Sequence, residues 1–377
     1  MRCFTIIIIM CLFLIVCSCG RKEKKEEVEL ISLRLNLESY PAIEESDYKV
    51  DFEVIPLENK DDCLTAKIDR IEIYDGKIYL KSLKEKYVMI FRVDGKFLKR
   101  LPIGRGPGEI FFPWDILIDT VNRQLEVLDA YRAIKRYDLE GNYIDEVQFK
   151  ESNIEFEKLG DRYILYNANF NKKNDYHFTL LDTTGDMSYF LKKSGGIKDG
   201  YSYPRHFFHF DGALYLLACY DNGIYRLATT DSLPQKVMEI QPLSGKAGLE
   251  PMDFKEWQDY CRGKYFEYAT DLKIFDEGRL LHLGLKRDGV CKNVLWDRKQ
   301  KQAYQWPLNG FPYLVISCGH NSTEEFFAIP PHKVYELDSD KLTLTGKKLR
   351  DLLVQTLGDK QADDENMYVV RLRLIPK

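Results

Sequence analysis

Phe178-Thr179-Leu180-Leu181-Asp182-Thr183-Thr184-Gly185 decides how this chain folds, because close variants of it recur. A short apolar strand runs into an Asp-led turn. The same mark stands at Ile90-Phe91-Arg92-Val93-Asp94-Gly95 and at Lys135-Arg136-Tyr137-Asp138-Leu139-Glu140-Gly141. A fourth copy, Ile224-Tyr225-Arg226-Leu227, runs into Thr230-Asp231-Ser232. Asp94 to Asp138 spans 44 residues, Asp138 to Asp182 another 44, and Asp182 to Asp231 spans 49. A period of about 45 with strand-like units between the marks indicates four-stranded propeller blades, not helical repeats.

Working outward, each unit reads as short strands separated by turn residues. Blade one opens at Lys67–Tyr74, turns at Asp75-Gly76, where Gly takes positive φ cheaply, and continues through Lys77–Leu80, Val88–Val93 and Lys96–Leu101. Blades two, three and four repeat this from Trp114, Ile154 and His206, and blade five from Leu272. Blade six begins with Tyr313–Ser317 and Glu325–Ile329. Two helical insertions interrupt the series. One covers about 246–268, where Phe254, Trp257, Tyr260 and Cys261 recur at helical spacing after Pro251. The other, about 347–358, places Leu349, Leu352, Leu353 and Leu357 on one face. The last apolar run, Met367–Ile375, and the early run Val50–Leu57 have no other partners. Exposed sheet edges are a liability, so the two runs are expected to share the final blade. The reading is an all-β, six-bladed β-propeller over 49–377, with four-stranded antiparallel blades.

Before it, residues 1–18 read as an export signal: Arg2, then an apolar stretch Phe4–Val16 too short to span about 30 Å of hydrocarbon. Val16-Cys17-Ser18-Cys19 resembles a bacterial lipobox, with small Ser18 before the cysteine, so Cys19 is the expected lipidation site. The charged run Arg21–Glu27 suggests a solvated tether over 19–48. With 55 basic and 59 acidic residues the chain has no electrostatic footprint for nucleic acid and no polybasic membrane patch. Beyond Cys19, the mature cysteines Cys63, Cys219, Cys261, Cys291 and Cys318 show no Cys-x-x-Cys spacing, which argues for isolated thiols.

Three segments resemble one known family, the six-bladed β-propeller lipoproteins of Bacteroidetes, related to NHL-type propellers. They are Phe52-Glu53-Val54-Ile55-Pro56-Leu57-Glu58 with Ile68-Asp69-Arg70-Ile71, the loop Gly104-Arg105-Gly106-Pro107-Gly108-Glu109, and Asp364-Glu365-Asn366-Met367-Tyr368-Val369-Val370. In the last, the family more often has Asn-Pro where Asn366-Met367 stands. The resemblance implies the fold and an outer-membrane lipoprotein, periplasmic or facing the cell surface, and says little of activity.

The Gly104–Glu109 loop lacks dinucleotide-binding spacing and leads into a strand, so it reads as a tight inter-blade crossing. No His-Glu-x-x-His, EF-hand or Gly-x-Ser-x-Gly motif occurs, and His206 and His209 fall on opposite strand faces. No metal site or cofactor is evident. Loops between blades and loops between second and third strands share one face. They carry Arg105, Glu109, Tyr131, Arg132, Lys198, Asp199, Tyr201, Tyr203 and Arg205. Tyr and Arg are common recognition anchors, so this face is expected to bind a protein or glycan partner. On the opposite face Asp119-Thr120-Val121, Asp182-Thr183-Thr184 and Asp231-Ser232-Leu233 resemble the triplet that Bacteroidetes O-glycosylate, which marks Thr120, Thr183 and Ser232. Ordinary turn chemistry explains the triplets equally well. The expected function is a monomeric, non-catalytic binding or scaffold module held to the membrane by lipid alone. The alternative is a propeller hydrolase or lyase with a metal or catalytic groups at the central channel.

Overall fold

The computed structural model describes residues 28–33, 40–130, 132–167, 175–193, 205–217, 223–242, 268–287, 290–309, 311, 317–321, 323–358 and 366–377. Two strands come first, β1 (Glu29–Leu33) and β2 (Tyr48–Pro56). Blade one is β3 (Arg70–Tyr74), β4 (Lys77–Ser82), β5 (Tyr87–Arg92) and β6 (Phe97–Arg100). Blade two is β7 (Pro113–Asp119), β8 (Gln124–Asp129), β9 (Ala133–Asp138) and β10 (Tyr143–Gln148). Blade three is β11 (Glu155–Leu159), β12 (Arg162–Tyr166), β13 (Tyr176–Leu181) and β14 (Met187–Lys192). Blade four is β15 (Phe207–Phe210), β16 (Ala213–Leu217), β17 (Gly223–Ala228) and β18 (Gln235–Pro242). Blade five is β19 (Tyr268–Phe275), β20 (Leu280–Arg287), β21 (Val290–Asp297) and β22 (Gln302–Gln305). Blade six is β23 (Ser317–His320), β24 (Glu324–Ile329), β25 (Tyr368–Pro376) and, outermost, β2.

The six sheets form the expected propeller. First strands of neighbouring blades pack on one another around the axis, as β3 does on β7 and β23. Burial falls from axis to rim: β7 is buried along its whole length, whereas β10 exposes Tyr143, Ile144 and Asp145. Between blades the faces interlock through apolar side chains. Tyr79 and Ile90 meet Ile116 and Ile118 between blades one and two, and Phe208 and Tyr215 meet Leu272 and Ile274 between blades four and five. The run Val50–Leu57 finds Met367–Ile375 as expected, β2 pairing with β25 antiparallel from Tyr48 opposite Pro376 to Pro56 opposite Tyr368.

Helix α1 (Pro331–Val334) is one unforeseen turn, and α2 (Leu344–Leu357) begins three residues before the expected stretch. Thr343 explains that start: its hydroxyl accepts from the Gly346 amide at 2.9 Å, an N-cap. Leu349, Leu353 and Leu357 then pack against Tyr368, Leu372 and Phe275. The first strand of blade six lies at Ser317–His320, later than the expected Tyr313–Ser317. The expected helix over about 246–268 lies almost wholly outside the described residues.

The solvated tether over 19–48 needs correction, because the chain is already folded at Glu29. Strand β1 adds in parallel to β18, from Glu29 opposite Met238 to Leu33 opposite Pro242, and makes blade four five-stranded. Its alternation buries Ile31 and Leu33 while Leu30 stays exposed. Further on, Ala42 bridges Gln305 of blade five, whose side chain donates to the Tyr40 carbonyl at 2.7 Å. Tyr48 donates its hydroxyl to Asp276, and Arg279 pairs with Asp47 at 2.9 Å. Residues 29–33 and 40–56, the belt, thus lie on the outer rim of blades four, five and six. Fourth strands run toward the face of the inter-blade loops, called upper here, so parallel β1 enters from the lower, hairpin-turn face.

Each Ile or Leu buried by β1 contributes about 1.5–3 kcal/mol. Deleting the chain through Leu33 should therefore lower the melting temperature by several degrees yet keep a cooperative transition. Deleting through Pro56 should abolish the transition; scanning calorimetry showing equal melts for the two truncations would contradict the closure described here.

Candidate functional site

The Gly104–Glu109 loop is built around its own acid. The Glu109 carboxylate accepts from the Gly106 amide at 2.8 Å, and a Cβ at Gly104 would stand 1.9 Å from it. Gly108 has φ +73°, and a Cβ there would fall 2.7 Å from that of Tyr143. Glu109 therefore holds the loop shut instead of reaching for a ligand. Beneath it, the Asp129 carboxylate accepts from the amides of Phe111 at 3.0 Å and Phe112 at 2.6 Å, and pairs with Lys135 at 2.8 Å. Lys135 also donates to the Glu109 carbonyl. These bonds fix an open upper-face groove of about 1000 Å³, lined by Arg105, Phe111, Arg132, Tyr143, Glu146 and Lys150, among others. The Arg105 guanidinium lies over the Phe111 ring, 4.2 Å from its centroid. Arg132 and Lys150 are exposed, and among the described residues neither has a carboxylate partner.

The axis is a different environment. Arg70 pairs with Glu72 on its own strand and approaches Asp115 of blade two at 3.8 Å. Arg205, entering from blade four, approaches Glu72 at 3.7 Å and pairs with Glu157 of blade three. Blades one and four stand opposite each other in a ring of six, so this chain of charges crosses the channel. His209 reaches Glu157 at 3.2 Å, and His206 reaches Glu155 at 3.0 Å with its ring stacked on Tyr166. Nearby, Lys273 and His282 of blade five meet Glu325 of blade six at 3.0 and 3.2 Å.

Burial governs the titration of these groups. It pushes Asp115 up to about 7, against the lowering pull of Arg70. Burial opposes protonation of His209, but the Glu157 carboxylate prevails and raises its pKa. His177, buried with no carboxylate to offset the cost, falls to about 3.

The structure divides the residues expected on one recognition face. Arg105 and Arg132 meet in the groove, Glu109 closes its loop, and Arg205 turns into the axis. Tyr131, Tyr201 and Tyr203, with Lys198 and Asp199, lie outside the described residues, as does Cys19. Thr120, Thr183 and Ser232 are exposed at lower-face turns. Cys63 and Cys318 are buried thiols outside any disulfide. Among the described residues no group of three or more His, Cys, Asp or Glu side chains is placed to hold a metal ion, and no helix is long and apolar enough to cross a membrane. Sequence reasoning missed the axial charges. Their signal was available: Arg70 and Glu72 alternate with Ile71 and Ile73 in β3, Glu155 and Glu157 flank Phe156 in β11, and Lys273 sits between Leu272 and Ile274 in β19.

A family model described as a domain of unknown function, DUF4934, matches residues 28–373. The chain belongs to that family. The match begins one residue before β1, so the DUF4934 unit includes the belt. Among solved structures, a Bacteroides fragilis protein described as exported is similar at 15% identity and TM-score 0.71, over 92% of this chain and 99% of that one. A DUF4221 member from Bacteroides vulgatus is similar at 9% identity and TM-score 0.51, over 88% and 99%. At these identities the likeness is one of fold. No curated protein matches the sequence.

Replacing Arg205 by Ala leaves Glu157, 3% exposed, with His209 as its remaining ion-pair partner among the described residues. Stripping one partner from a buried pair typically costs about 3–5 kcal/mol. Denaturant unfolding of Arg205→Ala should show a loss near about 3 kcal/mol; a loss below about 1 kcal/mol would mean the axial chain carries little of the fold's stability.

Proposed function

We propose that this DUF4934 protein is a non-catalytic binding module, lipid-anchored at Cys19 in the outer membrane, which engages its partner through the upper-face groove between blades one and two. The observation that carries the reading is the contrast between the two charged regions. On the axis, carboxylates and histidines are already committed to neighbours: Glu157 to Arg205 and His209, Glu325 to Lys273 and His282. A hydrolase or lyase centred there would have to break pairs that span blades. In the groove, Arg105, Arg132 and Lys150 are exposed on a floor fixed by Asp129 and Lys135. Arg and Tyr on a rigid support are typical anchors of recognition surfaces.

The belt supports the orientation. Because β1 enters from the lower face, Glu29 stands on the side away from the groove. A lipid-held domain would then present the groove outward. The export assigned to the Bacteroides fragilis relative agrees with such an address. The lower-face turns fit O-glycosylation at Thr120, Thr183 and Ser232, since all three are exposed while the Asp119 carboxylate secures its turn by accepting from Val121 and Asn122 amides at 3.0 Å.

Two measurements test this. Capture of partners from native membrane should succeed with the wild type and fail with Arg105→Ala/Arg132→Ala/Lys150→Ala; undiminished capture would reject the groove. Intact mass of the natively produced protein should exceed the acylated-chain mass by sugar increments. No added sugar would leave the triplets as turns alone.

A further inference from the structure

Resting on the binding reading above, we infer that the groove takes an acidic, partly apolar segment of a protein partner, laid along the outer edge of blade two. Three features of the surface select that occupant.

The first is charge. Arg105, Arg132 and Lys150 stand exposed at the groove, while Lys135 is neutralised by Asp129 and serves as floor. Lys86, exposed at the neighbouring turn of blade one, lies over Phe112 at 5.2 Å. Two of these cations rest on aromatic rings, which restrains them before any ligand arrives and lowers the ordering cost of pairing with carboxylates.

The second is how the aromatics are used. Sugar rings commonly stack on an open aromatic face, and one face of Phe111 is taken by Arg105. Tyr143 meets Tyr137 edge to face, centroids 5.8 Å apart at 67°. What remains open is apolar surface: Phe111 is 38% exposed, Tyr143 37%, and Ile103 at the approach to the loop 52%. Such a surface suits aliphatic or aromatic side chains set among acids better than it suits a saccharide.

The third is the edge itself. Strand β10 is the last of its sheet, and its residues Tyr143, Glu146 and Gln148 line the groove. Among the described residues its outward main-chain groups face no further strand, and extended peptides bind readily to such edges. The chain does this to itself at blade four, where β1 adds to the fourth strand.

The test uses the full mature chain and two probes, a phage-displayed library of short random peptides and an oligogalacturonate as a saccharide of matching charge. The wild type and Arg105→Ala/Arg132→Ala are panned in parallel; both side chains are exposed, and equal thermal melts confirm that the variant is folded. Peptides retained by the wild type should be enriched in Asp and Glu alternating with apolar residues. Their affinity should weaken at least about tenfold in the variant and fall with added salt. Acid-free peptides, or retention indifferent to Arg105 and Arg132, would overturn the inference. Oligogalacturonate binding that needs these arginines, with no peptide so dependent, would also overturn it while leaving the binding module itself standing.

Discussion

The antiparallel pairing of Tyr48–Pro56 with Tyr368–Pro376 holds the ring in register, because every other blade is sealed only by its neighbours. In an open series of sheets, the first and last would each present an apolar face and an unpaired edge to water. Ile55, Leu57 and Phe326, Val369 pack as one cluster with Ile71, Leu80 and Phe91, so joining the chain ends also builds the interface between blades six and one. On the rim side of the same blade, Glu53 and Glu324 clamp Arg371 and Arg373 at 2.7–3.0 Å across three adjacent strands. Pairing, packing and charge all require one register. A shift by a single residue would turn every apolar side chain of β2 to the wrong face.

That closure determines what the axis must contain. Six first strands converge on a narrow space, and the side chains that fill it are charged. Burying an ion pair contributes little net stability, since desolvation offsets much of the attraction. Leaving one member alone is costly. Partners come from different blades: Asp115 from two beside Arg70 from one, His206 from four beside Glu155 from three, Lys273 from five beside Glu325 from six. Only the correct blade order supplies every partner. The axial charges therefore act chiefly as a specification of the assembled ring, which explains why they are paired across blades while, among the described residues, Arg105, Arg132 and Lys150 of the groove have no carboxylate partner.

How much of this was legible in the sequence follows from how local each signal is. The blade period was readable because an Asp-led turn after an apolar strand is specified by adjacent residues, and closure was readable because two apolar runs had no other partner. The belt was not. Glu29-Leu30-Ile31-Ser32-Leu33 alternates as a strand should, but it follows directly on the charged run Arg21–Glu27, and its parallel partner β18 lies far along the chain. The axial charges were hidden for a related reason: a charged residue in a strand normally marks the solvent face, and only the three-dimensional ring makes that face internal. The groove was half legible. Loop position alone brought out Arg105 and Arg132, but assigned Glu109 and Arg205 to the same surface. Their side chains turn inward, Glu109 to the Gly106 amide and Arg205 to Glu157. Lys150 escaped notice because it directly follows a rim strand rather than sitting in a glycine-rich crossing.

The belt and the groove are connected by what each leaves uncovered. Residues 29–33 and 40–56 supply the outermost strand of blades four and six and bridge blade five, so the rim of that half is occupied by the chain's own N-terminal segment. Among the described residues, blades one, two and three keep β6, β10 and β14 as open edges. Open edges are usually blunted by charge, and β10 is: Arg136 holds Asp145 at 2.5 and 2.8 Å across the strand pair. That protection stops where the Gly104–Glu109 loop folds over the neighbouring end of the blade and exposes Pro107 beside Tyr143. The segment that seals the ring thus also divides its rim, and the distinctive loop stands on the half left free. A surface that was merely unfinished would not need a glutamate bonded back to its own loop, two glycines whose Cβ would crowd Glu109 and Tyr143, and a lysine paired with Asp129 to hold it in shape.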